Sequence, residues 1–168
     1  MTGSDEAWWI ERYQALEKPL YNVVYRWVWD STESQDIVQE AFLRCWRVRH
    51  RIRADGFKAL VFRTAINLAS NHRRRRRLWR LVSFESLPEE PVDDARAAAG
   101  VLSRALHDAV DSLPEQLKRV LLLSELAGMT YREIADVTGV KEGTVGSRRT
   151  RALAIVRRKL ESTGGKSQ

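Results

Sequence analysis

The stretch that decides the fold is TYREIADVTGVKEGTVGSRRTRAL, residues 130–153. Thr130 followed three residues later by Glu133 forms a capping box, which predicts that a short helix begins here. Gly139 follows that helix, where the chain needs a residue that tolerates a left-handed conformation. A second helix is predicted from about Glu142. Two helices joined by a short turn that contains glycine are typical of a helix-turn-helix.

The two predicted helices also carry the residues that such a crossing needs. Ala135 lets the helices approach closely, and Val145 fills the angle between them. At 100° per residue, one side of the second helix forms a predicted core of Val145, Ala152, Leu153, Val156 and Leu160. The other side carries Thr144, Ser147, Arg151 and Arg158, and Arg148 lies at the boundary between the two sides. Hydroxyls and arginines on one face suit the DNA major groove, and a solvated basic face is the alternative.

Composition limits the class of protein. The 168 residues include 29 Lys and Arg against 22 Asp and Glu, and 43% are hydrophobic, which indicates a folded protein with a net charge of +7. Cys45 is the single cysteine, so no internal disulfide can form. No apolar run reaches the roughly 18–20 residues of a membrane span, and the first residues do not resemble a signal peptide. We expect a cytoplasmic protein without membrane insertion.

Charge and periodicity divide the chain into three parts. Residues 83–100 carry five acidic side chains, one arginine and two prolines, without apolar periodicity, which indicates a linker. Helical periodicity recurs on both sides of it and alternating strand patterns are absent. We therefore predict an all-α protein of two small helical domains joined by an acidic linker, with helices over residues 5–29, 33–50, 57–80, 101–112, 114–127, 131–138 and 142–161. Two basic domains favour a polyanion that is contacted at two places.

The predicted helix TESQDIVQEAFLRCWR, residues 32–47, has one polar face with a leucine in its centre. Its apolar stripe is Ile37, Val38, Ala41, Phe42, Cys45 and Trp46. Its polar face carries Asp36, Gln39, Glu40, Arg44 and Arg47, and Leu43 projects from the middle of that face. An apolar centre with a polar rim resembles a protein-docking patch. An ordinary exposed leucine is the alternative.

The next predicted helix, FKALVFRTAINLASNHRRRRRLWR, residues 57–80, combines amides with arginines. Its predicted core is Phe57, Val61, Phe62, Ala65, Ile66, Leu68 and Ala69. The other face carries Leu60, Arg63, Thr64, Asn67, Ser70 and Asn71 and leads into Arg73–Arg77. Such a face can hold the bases and phosphates of an opened DNA strand. A solvated helix end or a targeting-type basic run is the alternative.

Patterns for catalysis or for metal and cofactor binding are missing from the sequence. It has no phosphate-binding glycine loop, no HExxH motif and no cysteine pair. His50 and His107 have no partners at metal-ligand spacing. We expect no catalytic residue, no metal site and no cofactor.

In this order the motifs resemble those of bacterial sigma factors of the extracytoplasmic-function group. Residues 35–47 resemble the core-polymerase-binding helix, residues 57–77 the promoter-melting segment, and residues 113–152 the domain that binds the upstream promoter element. The resemblance implies sigma region 2 over residues 1–82, the acidic linker over 83–100, and sigma region 4 over 101–168. It further implies an alternative sigma factor that directs promoter-specific initiation and has no enzymatic activity.

The resemblance also implies partners and the residues that contact them. The largest-subunit coiled coil and the flap of core RNA polymerase would bind the protein, the coiled coil through Asp36, Gln39, Glu40 and Leu43. The −10 element of promoter DNA would be contacted by Arg53, Asp55, Leu60, Arg63, Asn67, Asn71, Arg73 and Arg74. The −35 element would be contacted by Thr144, Ser147, Arg148 and Arg151. An anti-sigma factor is a further partner common in the family.

Three positions depart from the family pattern. Leu60 stands where an aromatic residue is usual, Gly146 where a basic residue is common, and Arg149 where an apolar residue is common. Because Arg149 falls near the apolar side of its helix, we expect its stem to cover the core while its guanidinium reaches a phosphate. Two other hypotheses stay open. One is a helix-turn-helix regulator that acts without polymerase docking, and the other is a DNA-processing enzyme.

Overall fold

The structure, a computed structural model, describes residues 3–82 and 100–164, with side chains described over 6–79 and 104–162. This part of the chain contains no strand and two short 3-10 turns, Arg49–Arg51 and Ala54–Gly56. Its seven α-helices are α1 (Gly3–Val28), α2 (Ser31–Arg47), α3 (Phe57–Val82), α4 (Gly100–Asp111), α5 (Glu115–Glu125), α6 (Tyr131–Thr138) and α7 (Glu142–Gly164). The all-α prediction is confirmed. The predicted acidic linker lies outside the described residues except for Gly100.

The chain divides into two compact units, Met1–Arg74 and Arg75–Gln168. The division falls within α3. Each unit has its own apolar core of fully buried side chains. The predicted domain boundaries at residues 82 and 100 stay a prediction.

A two-residue connection, Trp29 and Asp30, reverses the chain between α1 and α2. Trp29 has a φ of 57°, a left-handed conformation that ends α1. The Oδ1 atom of Asp30 accepts a hydrogen bond from the backbone N–H of Glu33 at 2.9 Å and caps α2. This cap starts α2 two residues before the predicted position. The 3-10 turn Arg49–Arg51 tightens the chain after α2, so the helix ends three residues before the predicted residue 50.

Three helices contribute one face each to the core of the first unit. Its largest buried side chains are Leu20, Val23, Val24 and Trp27 from α1, Ile37, Val38 and Phe42 from α2, and Phe57, Val61, Phe62 and Ile66 from α3. The predicted stripes are confirmed, except that Trp46 and Leu68 are only half-buried. At one end, the ring of Phe57 meets the rings of Trp8 and Trp9 at centroid distances of 5.2 and 4.9 Å. Edge-to-face aromatic contacts of this kind add to the burial energy.

Four helices form the core of the second unit. The helix α7 packs against α4, α5 and α6. The capping box of Thr130 and Glu133 is present, and Gly139 ends α6 with a φ of 73°. Val145 is fully buried, so the helix-turn-helix that these residues predicted is formed. On α7, Ala152 and Val156 are also buried, while Leu153 and Leu160 are half-buried.

We expect Phe57→Ala to destabilise the protein strongly, because Phe57 is 1% exposed and its removal leaves a cavity among aromatic rings. The expected loss is about 3–5 kcal/mol in the free energy of unfolding, measured by urea denaturation of the full chain. Leu78→Ala is the control, because Leu78 is 54% exposed, and its loss should stay within about 0.5 kcal/mol. Equal losses in the two variants would contradict the assignment of Phe57 to the core.

Candidate nucleic-acid and protein interfaces

The predicted docking patch on α2 is a solvent-facing surface. Asp36, Gln39 and Leu43 are exposed, and Leu43 keeps 47% of its surface in solvent. Glu40 is half-buried, and its carboxylate accepts a hydrogen bond from the Nε of Arg44 at 2.6 Å. That hydrogen bond lowers the pKa of Glu40 below its ordinary value. Glu40 is therefore a charged group in the rim around Leu43.

A groove between α1 and α2 borders this patch. It has a volume of about 480 Å³. From α2 it is lined by Gln35, Asp36, Val38 and Gln39, and from α1 by Tyr13, Glu17, Lys18 and Tyr21. Two of the predicted docking residues, Asp36 and Gln39, therefore lie at the edge of a concave surface rather than on a flat one.

A second groove, of about 380 Å³, runs between α2 and α3 and brings several predicted −10 residues together. From α3 it is lined by Leu60, Thr64, Asn67, Leu68 and Asn71, and from the α2 end by Arg44, Cys45 and Val48. Leu68 was predicted to be core but faces this groove, because it lies at the border between the apolar and polar sides of α3. Burial raises the pKa of the Cys45 thiol, which fits the predicted core role.

The other predicted −10 residues lie outside this groove. In the loop before α3, the Nε of Arg53 lies 3.4 Å from the Oδ1 of Asp55, and both side chains are exposed. Further along α3, the Nη2 of Arg74 donates a hydrogen bond to the Oδ1 of Asn71 at 3.0 Å. Arg63 is exposed and Arg73 is half-buried. The structure thus spreads most of these residues along one face of α3 and the preceding loop, while the half-buried Arg73 falls on the side of α3 nearer the core.

An arginine–tryptophan stack beside the same loop was missed by sequence reasoning. The guanidinium of Arg49 lies 4.1 Å from the ring centroid of Trp46, and its Nη1 donates to the Trp46 carbonyl at 2.9 Å. The 3-10 turn after α2 folds Arg49 back over the ring. Helical periodicity does not predict this contact, because the helix has already ended at Arg47.

The predicted −35 residues share one face of α7. Ser147 and Arg151 are exposed, and Thr144 and Arg148 are half-buried. The hydroxyl of Ser147 donates to the Thr144 carbonyl at 3.0 Å, so its oxygen lone pairs remain to accept. Arginine and hydroxyl groups on the first turns of such a helix can contact base edges and phosphates.

Arg149 does not behave as predicted. Its guanidinium, expected to reach a phosphate, instead binds Glu125 at the end of α5, with Nε and Nη2 at 2.9 and 2.7 Å from one carboxylate oxygen. The cause is the packing of α7 against α5, which places Glu125 beside the apolar flank of α7. The partners are 24 residues apart, so no local sequence pattern reveals the pair.

The Glu125–Arg149 pair makes stability depend on pH. Burial acts to raise the pKa of Glu125, but hydrogen bonds from Ser124 and Arg149 outweigh it, and the pKa is lowered from the ordinary 4.5. A carboxyl whose pKa is lowered on folding stabilises the protein above its unfolded pKa, and this stability is lost as the pH falls through the folded value.

We therefore expect Arg149→Met to raise the pKa of Glu125 and to destabilise the protein more at pH 7 than at pH 3. The measurements are carbon-13 NMR titration of the Glu125 carboxyl and urea denaturation at both pH values. Glu125→Gln is the matched control. In a protein that already carries Glu125→Gln, Arg149→Met should lower the free energy of unfolding at pH 7 by less than it does in the wild type, because the carboxylate that pairs with Arg149 is already absent. A stability difference that stays constant from pH 7 to pH 3 would contradict the pairing.

Neither a metal-binding cluster nor a membrane-spanning helix was found in the part of the chain that the structure describes. There, no group of three or more His, Cys, Asp or Glu side chains is arranged to hold a metal ion. Among the same residues, none of the helices combines the length and apolar character of a membrane span.

Known proteins resemble this chain in both units. The family described as Sigma-70 region 2 matches residues 12–78, and the family described as Sigma-70, region 4 matches residues 103–156. The RNA polymerase sigma-H factor of Pseudomonas aeruginosa is 32% identical over 155 residues, which cover 84% of this chain and 80% of that protein. The ECF RNA polymerase sigma-E factor of Escherichia coli K12 is 31% identical over 165 residues, or 90% and 84% of the two chains.

Solved structures agree in fold. CnrH, solved in complex with the cytosolic domain of CnrY, superposes with a TM-score of 0.70 at 22% identity, over 92% of this chain and 88% of that chain. The sigma factor RpoE of Bartonella quintana, solved with the anti-sigma factor NepR, superposes with a TM-score of 0.63 at 21% identity, over 90% and 97%.

An all-α fold over the described residues, with a helix-turn-helix in the second unit, is a common plan of DNA-binding proteins. The two matched regions and the relatives identify the family to which this protein belongs. The chain belongs to the sigma-70 family, in its extracytoplasmic-function group, and is an alternative sigma factor that directs transcription initiation.

Proposed function

We propose that this sigma factor binds core RNA polymerase through the polar face of α2. The observation that carries the proposal is Leu43, an exposed leucine at the centre of a rim formed by Asp36, Gln39 and Glu40. The coiled coil of the largest subunit would cover Leu43 and pair with the rim, while the flap would contact the second unit. Burial of an apolar centre inside a polar rim is the usual anatomy of a protein interface.

The −10 element is proposed to bind along α3 and the loop before it. Leu60, Asn67 and Asn71 line one groove, where amides can hydrogen-bond the edges of an unpaired base. Arg53, Asp55, Arg63, Arg73 and Arg74 extend this surface on both sides. The arginines would hold phosphates of the opened strand. Leu60 offers apolar contact where an aromatic residue would stack, so strand capture here depends on the amides and arginines.

The −35 element is proposed to bind α7. Arg151 and Ser147 project from the exposed face, and Thr144 and Arg148 flank them. Arginine can pair with guanine through two hydrogen bonds, and the hydroxyls can contact phosphates. In this assignment residues 1–82 serve as sigma region 2, residues 83–100 as the acidic linker and residues 101–168 as sigma region 4.

The proposal also covers enzymatic activity, cellular location and a third partner. The protein acts without an enzymatic activity of its own, in the cytoplasm, where RNA polymerase works. An anti-sigma factor is the third partner, beside core polymerase and promoter DNA. The fold relative RpoE, solved with the anti-sigma factor NepR, supports the last point.

The central test is run-off transcription with purified core RNA polymerase on genomic fragments, with and without this protein. We expect wild-type protein to yield discrete transcripts and Leu43→Lys to abolish them, because the substitution places a charge at the centre of the patch. Binding to core polymerase, measured by pull-down, should fall in parallel.

Ile10→Lys is the matched control for Leu43→Lys. Ile10 is 56% exposed on α1, so the change adds the same charge away from the patch. Unchanged transcription by Leu43→Lys would remove the docking assignment. Wild-type protein that binds the fragments without supporting transcription would favour a helix-turn-helix regulator instead.

For the upstream element, Arg151→Ala should weaken binding by about 1–3 kcal/mol if Arg151 pairs with a base. The measurement is holoenzyme binding to duplexes that contain either the upstream element or its scrambled sequence. Arg157→Ala is the control, because Arg157 is also exposed on α7 but lies away from the predicted face. An equal loss on both duplexes would show that Arg151 contacts a phosphate rather than a base.

A further inference from the structure

The loop between α2 and α3, residues 48–56, carries two of the proposed −10 residues but has little packing of its own. Arg53 and Asp55 are exposed, and so are the other residues of the loop except Arg49 and Ile52, which are half-buried. Two 3-10 turns fold it locally. Because conformational entropy opposes the ordering of an exposed loop, the conformation of this loop depends on how its two ends are held.

A row of four side chains connects those two ends. At the start of the loop, the guanidinium of Arg49 lies 4.1 Å from the ring centroid of Trp46 in α2. The ring of Trp46 meets that of Trp9 in α1 at a centroid distance of 5.0 Å. Trp9 in turn meets the ring of Phe57, the first residue of α3, at 4.9 Å. This row, which we call the aromatic bridge, joins the residue before the exposed part of the loop to the residue after it.

The geometry of each contact in the bridge is favourable. The ring planes of Trp9 and Trp46 meet at 71°, and those of Trp9 and Phe57 at 68°, so both pairs are edge-to-face. Tryptophan is the aromatic residue that attracts a guanidinium most strongly. The Nη1 of Arg49 also donates a hydrogen bond to the Trp46 carbonyl at 2.9 Å, which fixes the guanidinium over the ring.

The two ends of the loop differ in what holds them. Phe57 is 1% exposed, so the core fixes the end of the loop directly. The start of the loop has no buried side chain, and Arg49 holds it through Trp46. Trp9, from the beginning of α1, joins the two ends. If the loop were in its binding conformation for only a fraction of the time, its apparent affinity for a strand would fall by that fraction.

We propose that Trp9, Trp46 and Arg49 are positioning residues for promoter opening. The aromatic bridge holds the loop in the conformation that captures the opened −10 strand, and it acts on the strand only through the loop. The inference rests on the proposed function of α3 and its loop, and it adds the beginning of α1 to the parts of the protein on which strand capture depends.

The first test measures binding of the holoenzyme to a single-stranded oligonucleotide with the non-template −10 sequence of a promoter mapped by run-off transcription. Trp46→Leu and Arg49→Met should each weaken this binding about tenfold, because the loop is then ordered for only a fraction of the time. Trp46→Phe keeps a ring and should recover most of the affinity. The amount of each variant bound to core polymerase, measured by pull-down, should equal that of wild type.

Trp8→Leu is the matched control for Trp46→Leu. Trp8 packs on Phe57 and Trp9 at centroid distances of 5.2 and 6.2 Å, so its removal takes a ring from the same cluster but leaves the bridge continuous. We expect this variant to lose stability in urea and to keep the wild-type affinity for the oligonucleotide. Equal losses of affinity in Trp8→Leu and Trp46→Leu would show general destabilisation and overturn the proposal.

Amide hydrogen exchange of the free full-length protein reports on the loop itself. The backbone N–H groups of Arg51 and Ile52 donate to the carbonyls of Val48 and Arg49 at 2.9 and 3.1 Å. In Arg49→Met and Trp46→Leu these two amides should exchange about tenfold faster, while the amides of the α2 interior keep their wild-type rates. Faster exchange throughout α2 would instead indicate loss of the core and contradict a role confined to the loop.

The salt dependence of strand binding separates positioning by Arg49 from a direct contact. We expect Arg49→Met to keep the wild-type slope of affinity against salt, because its guanidinium lies on a ring and not on a phosphate. A shallower slope would show that Arg49 binds a phosphate of the strand and would overturn its role as a positioning residue.

The outcomes distinguish this inference from the function on which it rests. If wild-type holoenzyme bound the −10 oligonucleotide no better than its scrambled sequence, the proposed function of α3 would fail, and this inference with it. If wild type showed that preference and Arg53→Ala weakened it, while Trp46→Leu and Arg49→Met changed neither affinity nor exchange, only the aromatic bridge would fail. Loss of affinity together with faster loop exchange in both variants would establish the bridge.

Discussion

Helices α2, α3 and α7 each bury only one face over their described residues, because the neighbouring helices of a small unit cover only one side of them. The core of each unit uses the apolar faces, and the opposite faces of α2, α3 and α7 remain in solvent. Those exposed faces carry a leucine with a polar rim, an amide and arginine surface, and a hydroxyl and arginine surface. A protein of this plan has modest stability of its own. In the proposed function, the helices hold these three faces in place for their partners, and partner binding would add stability to the folded state.

An ion pair within the second unit accommodates Arg149, a charged residue near the apolar side of α7. Arg149 lies on the flank of α7 that faces other helices, and Glu125 of α5 neutralises it there. Both side chains keep contact with solvent, so the pair costs little desolvation and its contribution is screened. Its structural effect is to join the end of α5 to the recognition helix. If α7 binds DNA as proposed, Arg148 and Arg151 would supply charge to that contact, whereas Arg149 is already paired with Glu125.

Much of the fold was predictable because local rules and tertiary packing agree. The bounds of α6 were predicted to the residue, since a capping box and a glycine mark its two ends. The start of α2 was misplaced by two residues because the N-cap that Asp30 forms with the backbone N–H of Glu33 was not recognised. Leu68 was assigned to the core because a helical wheel cannot place a residue at the border of two faces. The roles of the site residues came from family resemblance and remain predictions.

The amino-acid sequence by itself determined the helices, their apolar faces, the helix-turn-helix and the sigma family, because these depend on periodicity and on motifs of neighbouring residues. Only the tertiary structure decided which distant side chains meet. The pairing of Arg149 with Glu125, the ring of Trp9 on that of Trp46 and the groove between α2 and α3 are of this kind. Each joins residues from different helices, and their contact depends on how the helices pack, which no spacing along the chain encodes.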